Sequence, residues 1–476
     1  MKLHLDDTSK TPVFQQIVDQ IHFAINTGEL TAGDKLPSIR ALASENNLAT
    51  NTVAKALRQL EFRALLQAKD RSGYVVADSR SNSRYQARGV SADKGEVHRV
   101  VDNLDDGIFA NAFCKITEDY LGGDPDRCNV IHADGSGTKS IIAYLHYKET
   151  GDVSVFHGIA QDSIVMNLDD LLCIGVDGRI VISNTINRNA LNCPGEVIAA
   201  LIDGSEQFLA ELRQFGVNIY SGGGETADVG DLTGTVVVDS CAVSVMRKSD
   251  VVTGDLIAPD LAIVGLASTG KGSYETAFNS GIGSNGLTSA RHDMLHHEYA
   301  DKYPESFDAN VTADLVYCGP YALGDPLPES DLTVGEALLS PTRTYAPVIH
   351  TILANNRAAV RGIVHCSGGA QTKCLKFGSG IHFVKDNLYP TPPVFKAIQA
   401  ASGTEAKEMY QVFNMGHRLE IYCEERNVNE IVDVAKSFDI EAQQIGYTEA
   451  NGSAAEANGS TGNHLTVVHD EVTIEY

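Results

Sequence analysis

Nowhere in the 476 residues is there an uninterrupted apolar run of about 18, the length a membrane-crossing helix needs. The segment Met1 to Lys10 mixes charge with polarity and lacks the apolar centre of a secretory leader. No membrane partner is expected, and the expected location is the cytoplasm. The nine cysteines are scattered, and no two stand in a CxxC pair. An odd, unpatterned set in a long chain argues against a disulfide framework and against a zinc site. Cys366 and Cys374 lie close to glycines and read as buried structural thiols. There is no repeat period and no Walker A loop: that motif needs glycines where Ala133 and Thr138 stand.

Hydrophobic residues make up 43% of the chain, enough for sizeable cores, and its length suggests two to four domains. The net charge of -25 is unevenly spread. Residues 1–88 hold 12 Lys and Arg against 9 Asp and Glu, which is +3 and leaves -28 for the remainder. A slightly basic head on a very acidic body suggests different partners for the two. Only the head suits a polyanion.

In that head, Phe14, Ile17, Val18, Ile21 and Ile25 follow helical spacing, which predicts a helix from Thr11 to Ile25 ended by Thr27-Gly28-Glu29. Ser38 can cap a short helix through Ala43, broken by Asn46-Asn47. Thr50 can cap a third helix to Phe62, with Val53, Leu57 and Leu60 on its buried face. Val75 and Val76, after Ser72-Gly73, read as a hairpin strand. Three helices and a β-wing make a winged helix-turn-helix, assigned to residues 1–78, with residues 79–88 as a Ser/Asn/Arg-rich linker. Thr50, Asn51, Thr52, Lys55 and Arg58 lie off the apolar stripe of the third helix, where they can enter a major groove. Ser38, Arg40, Lys69, Arg71 and Gly73 are further candidates for contact with the phosphate backbone. The runs Gly33-Asp34-Lys35-Leu36-Pro37-Ser38-Ile39-Arg40, Asn51-Thr52-Val53-Ala54-Lys55-Ala56-Leu57 and Gly73-Tyr74-Val75-Val76 resemble the GntR-type regulator head. The resemblance implies double-stranded DNA as a partner.

The body alternates short apolar strands with helical stretches, so α/β or α+β layers are expected. Strands are expected at 129–133, 219–221, 235–246 and 261–266, and a helix at 196–215. Residues 449–463 read as a low-complexity loop before a last strand, 465–476. Four segments stand out. Asp134-Gly135-Ser136-Gly137-Thr138-Lys139 follows a strand, and its small residues let backbone N–H groups approach phosphate. Asp162 and the pair Asp169-Asp170 offer hard oxygen ligands of the kind Mg²⁺ takes. Gly222-Gly223-Gly224-Glu225-Thr226-Ala227-Asp228 also reads as a loop after a strand, suited to phosphate and metal. Gly283-Ser284-Asn285-Gly286 reads as a turn opening a helix.

With Pro341-Thr342-Arg343-Thr344-Tyr345, Ser367-Gly368-Gly369 and Phe413-Asn414-Met415-Gly416, these segments resemble, in order, aminoimidazole ribonucleotide synthase. The resemblance covers about residues 84–476 and implies a two-part body, 89–250 with the dimer contact and ATP site and 251–476 as a second subdomain. It implies Lys139, Asp170 and Glu225 as catalytic residues. ATP and substrate contacts would fall to Asp134, Gly135, Gly137, Thr138, Gly223, Gly224, Thr226, Ser284 and Asn285. Mg²⁺ would be held by Asp134, Asp162, Asp170 and Glu225. The implied reaction is ATP-driven ring closure of formylglycinamidine ribonucleotide in an obligate homodimer. The family's commoner form has Pro-His directly before Ser-Asn-Gly, whereas here the stretch 271–283 precedes Ser284 and brings no His. Three readings follow: a bifunctional enzyme with a regulatory head, a regulator whose body senses a purine-pathway ligand without turnover, or another ATP-dependent enzyme of the same fold.

Overall fold

The computed structural model describes residues 2–3, 5, 11–26, 30–31, 33–62, 66–69, 73–76, 87–90, 104–452, 462–469 and 472–476. The expected helix end at 27–29, Arg71, most of the linker and residues 453–461 of the low-complexity loop lie outside them. The chain divides into two compact units, residues 1–94 with 310–315, and residues 95–309 with 316–476.

The first unit is built on α1 (Val13–Asn26), α2 (Ile39–Glu45) and α3 (Thr50–Phe62), followed by the antiparallel pair β1 (Leu66–Lys69) and β2 (Gly73–Val76). The apolar stripe read from the sequence is its core: Ile17, Val18 and Ile21 meet Leu42, Val53, Leu57 and Leu60 with no exposure. Ser38 caps α2, its Oγ accepting from Ala41 N at 3.2 Å. Asn47 takes a positive φ of 55° just after the helix ends, as the Asn pair suggested. The loop before α2 lies along β2, with Leu36 N donating to Tyr74 O at 2.9 Å and Val76 N to Asp34 O at 2.7 Å. The order is that of a winged helix.

The second unit holds two sheets. A five-stranded sheet has the order β3-β4-β7-β5-β6, from β3 (Ile116–Glu118), β4 (Arg127–Gly135), β5 (Ile180–Arg188), β6 (Ile219–Asp228) and β7 (Val236–Arg247). A seven-stranded sheet has the order β14-β13-β10-β12-β8-β11-β9. Its strands are β8 (Ala262–Ala267), β9 (Val360–His365), β10 (Ile381–Lys385), β11 (His417–Cys423), β12 (Ala442–Ala450), β13 (His464–His469) and β14 (Val472–Glu475). The last strand expected from the sequence is therefore two, paired antiparallel. The helices that matter for the site are α4 (Lys139–Thr150), α5 (Val155–Cys173), α6 (Gly195–Gln214) and α7 (Leu287–Met294).

Helix α5 is buried nearly all round, as a helix must be when both flanks are protein. Ile164, Leu168 and Leu171 join a core that includes Ile182 and Ala242 of the first sheet and Val264, Ile363 and Ile421 of the second. Any acid on this helix has to find a partner inside the protein.

Candidate functional site

Four acids and amides of α5 are fully or almost fully buried, and each is partnered differently. Asp162 accepts from Lys139 Nζ at 2.9 Å and from Thr342 N at 2.7 Å through one oxygen. Lys139 also donates to Ser340 O at 2.5 Å. Burial pushes the Lys139 ammonium below its usual value, more than the Asp162 charge restores. Lys139 and Asp162 have no solvent-exposed side chain. Lys139, expected beside a phosphate, and Asp162, expected beside a metal, turn inward here and pair with each other.

Asp169 accepts from Thr344 Oγ1 at 2.6 Å and from Arg418 Nη2 at 2.9 Å. It is a structural tie between α5 and the second sheet. Its neighbour Asp170 points elsewhere, into a pair of imidazoles. Its Oδ1 lies 2.6 Å from His365 Nδ1 at the end of β9, and its Oδ2 lies 3.3 Å from His132 Nε2 on β4. His132 Nδ1 in turn meets Asn167 Oδ1 at 2.9 Å. Burial pushes the Asp170 carboxyl up, but the His365 hydrogen bond and the two imidazoles outweigh it and hold it below the usual value. Asp134, two residues beyond His132 on β4, is raised by desolvation and by the nearby charge of Asp170. Asp239 is raised by desolvation and by Asp134. Asp134 thus shares the face of His132 and Asp170 at the end of β4, while Asp239, opposite Gly135, lies on the other face of the sheet with Ile131. His132, His365 and Asp239 were not singled out from the sequence, since each is far in sequence from Asp170.

The segments expected as loops are largely strand. Asp134 and Gly135 end β4, where a Cβ on Gly135 would lie 1.8 Å from Asp239 Oδ1. A side chain at Gly135 would displace that carboxylate and press on Val238 O, 2.9 Å from the Cβ. Gly222, Gly223, Gly224 and Glu225 lie within β6 at the sheet edge, exposed. Between the pairs Ile182↔Ser221 and Asn184↔Gly224 the register shifts by one residue, with Gly223 at a φ of 87°. That is a β-bulge, which positive φ favours. Beyond it Glu225 stands opposite Thr185, which stands opposite Asp239, which stands opposite Gly135. Three strand spacings separate Glu225 from Gly135, about 14 Å. The expected metal set of Asp134, Asp162, Asp170 and Glu225 is therefore not brought together within one sheet of one chain: Oδ1 of Asp162 pairs with Lys139 and its Oδ2 is buried without a partner, and Glu225 is three strands away.

The remaining expected residues converge around residues 340–345. Thr138 Oγ1 meets Thr288 Oγ1 at 2.9 Å, and Ser284 Oγ meets Thr342 Oγ1 at 2.7 Å. Asn285 is half-buried beside them. Arg343 forms a two-pronged pair with Glu275, at 2.8 and 2.5 Å, and donates to Ala267 O and Thr269 O. Asn414 Oδ1 accepts from Ser268 Oγ, and its Nδ2 donates to Gly281 O. Segments far apart in sequence are thus one hydrogen-bonded block. A further buried group, Cys366, His417 and Glu420, lies within 4.8 Å in the second sheet. Lys385 Nζ donates to Glu420 at 2.5 Å, so an ammonium already serves as its cation.

In the head, Thr50, Asn51, Lys55 and Arg58 are exposed along α3 and Arg40 is exposed on α2, while Thr52 is half-buried. Lys55 Nζ rests 3.7 Å from the ring centroid of Phe14. Ser38 and Gly73 are exposed. Gly73 opens β2, and Lys69 is its partner in β1.

Among the described residues no helix is long and apolar enough to cross a membrane. Residues 14–76 match the model of bacterial regulatory proteins of the gntR family. Residues 115–246 match the N-terminal domain of AIR synthase related proteins, and residues 258–456 their C-terminal domain. A phosphoribosylformylglycinamidine cyclo-ligase of Thermococcus gammatolerans is 31% identical over 283 residues, 60% of this chain and 68% of that protein. One of Methanococcus vannielii is 27% identical over 324 residues, 68% of this chain and 78% of that protein. The solved T. maritima PurL complexed with FGAR aligns at a TM-score of 0.43 with 13% identity, over 73% of this chain and 45% of that one. The chain belongs to the phosphoribosylformylglycinamidine cyclo-ligase family of AIR synthase related proteins and carries a gntR-family DNA-binding domain at its head.

Proposed function

We propose that the body is an ATP-dependent phosphoribosylformylglycinamidine cyclo-ligase and that the head binds double-stranded DNA. The observation that carries the enzymatic reading is Asp170 held between His132 and His365, on the face of the sheet that Asp134 shares. Desolvation, and less so the Asp170 charge, raises the Asp134 carboxyl, while His365 and His132 hold the Asp170 carboxyl below its usual value. Their oxygens are of the kind Mg²⁺ takes, so Asp134 and Asp170 would be its holders, with the imidazoles fixing Asp170. The cation would neutralise phosphoryl charge. In the reaction, the formyl oxygen of formylglycinamidine ribonucleotide takes the γ-phosphoryl of ATP and ADP leaves. The amidine nitrogen then attacks that carbon, the ring closes and inorganic phosphate departs with the formyl oxygen. No protein nucleophile is required, so this chain contributes positioning and electrostatics.

A homodimer fits the open face of the five-stranded sheet. Ile131, Val243, Val181 and Tyr220 stand side by side across β4, β7, β5 and β6. Ile131 is 59% exposed, Val181 42% and Tyr220 46%. A continuous apolar row of this kind marks an interaction surface. Asp239, Thr185 and Glu225 are on the same face, so a second copy would bring its own Glu225 toward the first chain's Asp239. That would give Glu225 the role its distance within one chain denies it.

The test is turnover of formylglycinamidine ribonucleotide with Mg·ATP, followed by release of phosphate. Asp170→Ala and Glu225→Ala should each lower kcat by at least about 100-fold with the melting temperature little changed for Glu225→Ala. Near wild-type rates in both would refute the site. Ligand binding without any turnover in the wild-type chain would favour the sensing regulator.

A further inference from the structure

Arg418, the second residue of β11, is 2% exposed, and only one of its nitrogens is used. Nη2 donates to Asp169 Oδ2 at 2.9 Å and to Arg343 O at 2.7 Å. Nε and Nη1 are buried with no hydrogen-bond partner. Buried guanidinium donors are rarely left unmade. Their surroundings show what they face. A Cβ built on Gly283 would lie 3.4 Å from Arg418 Cδ and 3.6 Å from Nη1. The free side of the guanidinium therefore looks onto the turn from Gly281 to Gly286.

In that turn the N–H groups of Gly281 and Ile282 donate to Asn279 Oδ1 and Ser280 Oγ, and the unused donors begin at Gly283. Gly281, Gly283 and Gly286 have φ of 89°, 71° and 77°. Such alternation turns successive N–H groups into a concavity that fits an oxyanion. No described residue accepts from the backbone N–H of Gly283, Ser284, Asn285 or Gly286. Gly286 then opens α7, whose first N–H groups add their partial positive charge. The turn is held in place from behind. Asn414 Nδ2 donates to Gly281 O at 2.8 Å, and a Cβ on Gly286 would lie 2.4 Å from the Phe413 ring. Ser284 Oγ is fixed by Thr342 at 2.7 Å, and Ser284 and Asn285 are half-buried, forming the rim. The charges around the floor are balanced: Lys139 and Arg418 against Asp162 and Asp169. An incoming anion is thus met by aimed donors more than by net charge.

We propose that Arg418 and the Gly283–Gly286 turn form a phosphoryl-oxyanion site, with Arg418 as its cationic floor. The inference rests on the cyclo-ligase reading, in which two ligands bring phosphoryl groups: ATP and the ribonucleotide 5′-phosphate. Gly283 stands directly before Ser284-Asn285-Gly286, and a Cβ there would touch Arg418 at ordinary contact distance. The bare position and the buried arginine fit each other.

The experiment measures equilibrium binding by calorimetry on the full chain, with a non-hydrolysable ATP analogue and with formylglycinamidine ribonucleotide in separate titrations. Gly283→Asp puts a carboxylate beside the free side of Arg418, and Gly283→Asn puts a neutral group of the same shape there. Both residues tolerate a positive φ. Gly283→Asp should weaken one of the two ligands by about tenfold or more relative to Gly283→Asn, with the melting temperature held or raised. The ligand that weakens identifies which phosphoryl group the site takes. Should either Gly283 variant fail to fold, Arg418→Lys keeps the charge near Asp169 and removes the fork. It should weaken the same ligand. Unchanged affinity for both ligands across these variants overturns the inference alone and leaves internal water on the free donors. A wild-type chain that binds neither ligand overturns the cyclo-ligase reading and this inference together.

Discussion

Asp169 and Asp170 are adjacent in sequence and have opposite roles. A helix turns about 100° per residue, so Asp169 reaches Arg418 and Thr344 while Asp170 reaches His132 and His365. The adjacency of acids was legible, but which of them is structural was not. Lys139 carries the same lesson. Its place in the glycine-rich segment suggested a phosphate contact, and the fold spends it on Asp162. Lys139→Met should therefore destabilise the chain by about 3–5 kcal/mol in urea unfolding, because it leaves Asp162 buried and unpaired. A loss of activity with unchanged stability would contradict that placement. Glu420 offers a pH test. Lys385 and His417 outweigh burial and hold its carboxyl down at about 2, against an ordinary 4.5. A depressed carboxyl adds stability that is full above 4.5 and is lost as pH falls toward 2. Glu420→Gln should cost roughly 3–5 kcal/mol at neutral pH, and its deficit against wild type should shrink through that acid window. A deficit independent of pH would refute the assignment.

At the scale of elements, the head follows its sequence closely. Short helices with a clear cap and a single apolar stripe leave little for tertiary contacts to override. Ser38→Ala removes the acceptor for Ala41 N and should lower stability of the head by about 1 kcal/mol, with Ser38→Asp restoring it. Equal melting of the head in all three would show the cap to be idle. The body departs from expectation where glycines cluster. Gly222-Gly223-Gly224 and Asp134-Gly135 were read as phosphate loops, yet both lie in strands. Glycine in a strand marks a bulge or a close approach as readily as a loop. Here Gly223 makes the bulge and Gly135 makes room for Asp239. The choice depends on the neighbouring strand, which a sequence window does not contain.

For the molecule as a whole, the charge split between residues 1–88 and the rest matches the division of labour proposed: a head for DNA and an acidic body for a small-molecule reaction. If the open face of the five-stranded sheet joins two copies, then Tyr220→Glu should give a monomer in analytical ultracentrifugation. It should also lower affinity for a palindromic DNA site, because two linked heads gain effective concentration that one lacks. Activity should fall with it, since Glu225 would no longer reach the other chain. A Tyr220→Glu chain that remains dimeric and active would place the dimer contact elsewhere.

The sequence by itself determined the two-part plan, the helical order and core of the head, and the family of the body. Those rest on local spacing, caps and ordered short motifs, each contained in a few tens of residues. Only the tertiary structure decided which charged residues face one another. It paired Lys139 with Asp162 and Asp169 with Arg418, set Asp170 between two histidines, and left two nitrogens of Arg418 facing a glycine turn. The physical reason is burial. Once α5 is enclosed between sheets, every charge on it is stabilised only by a specific partner, and those partners are up to 249 residues away along the chain.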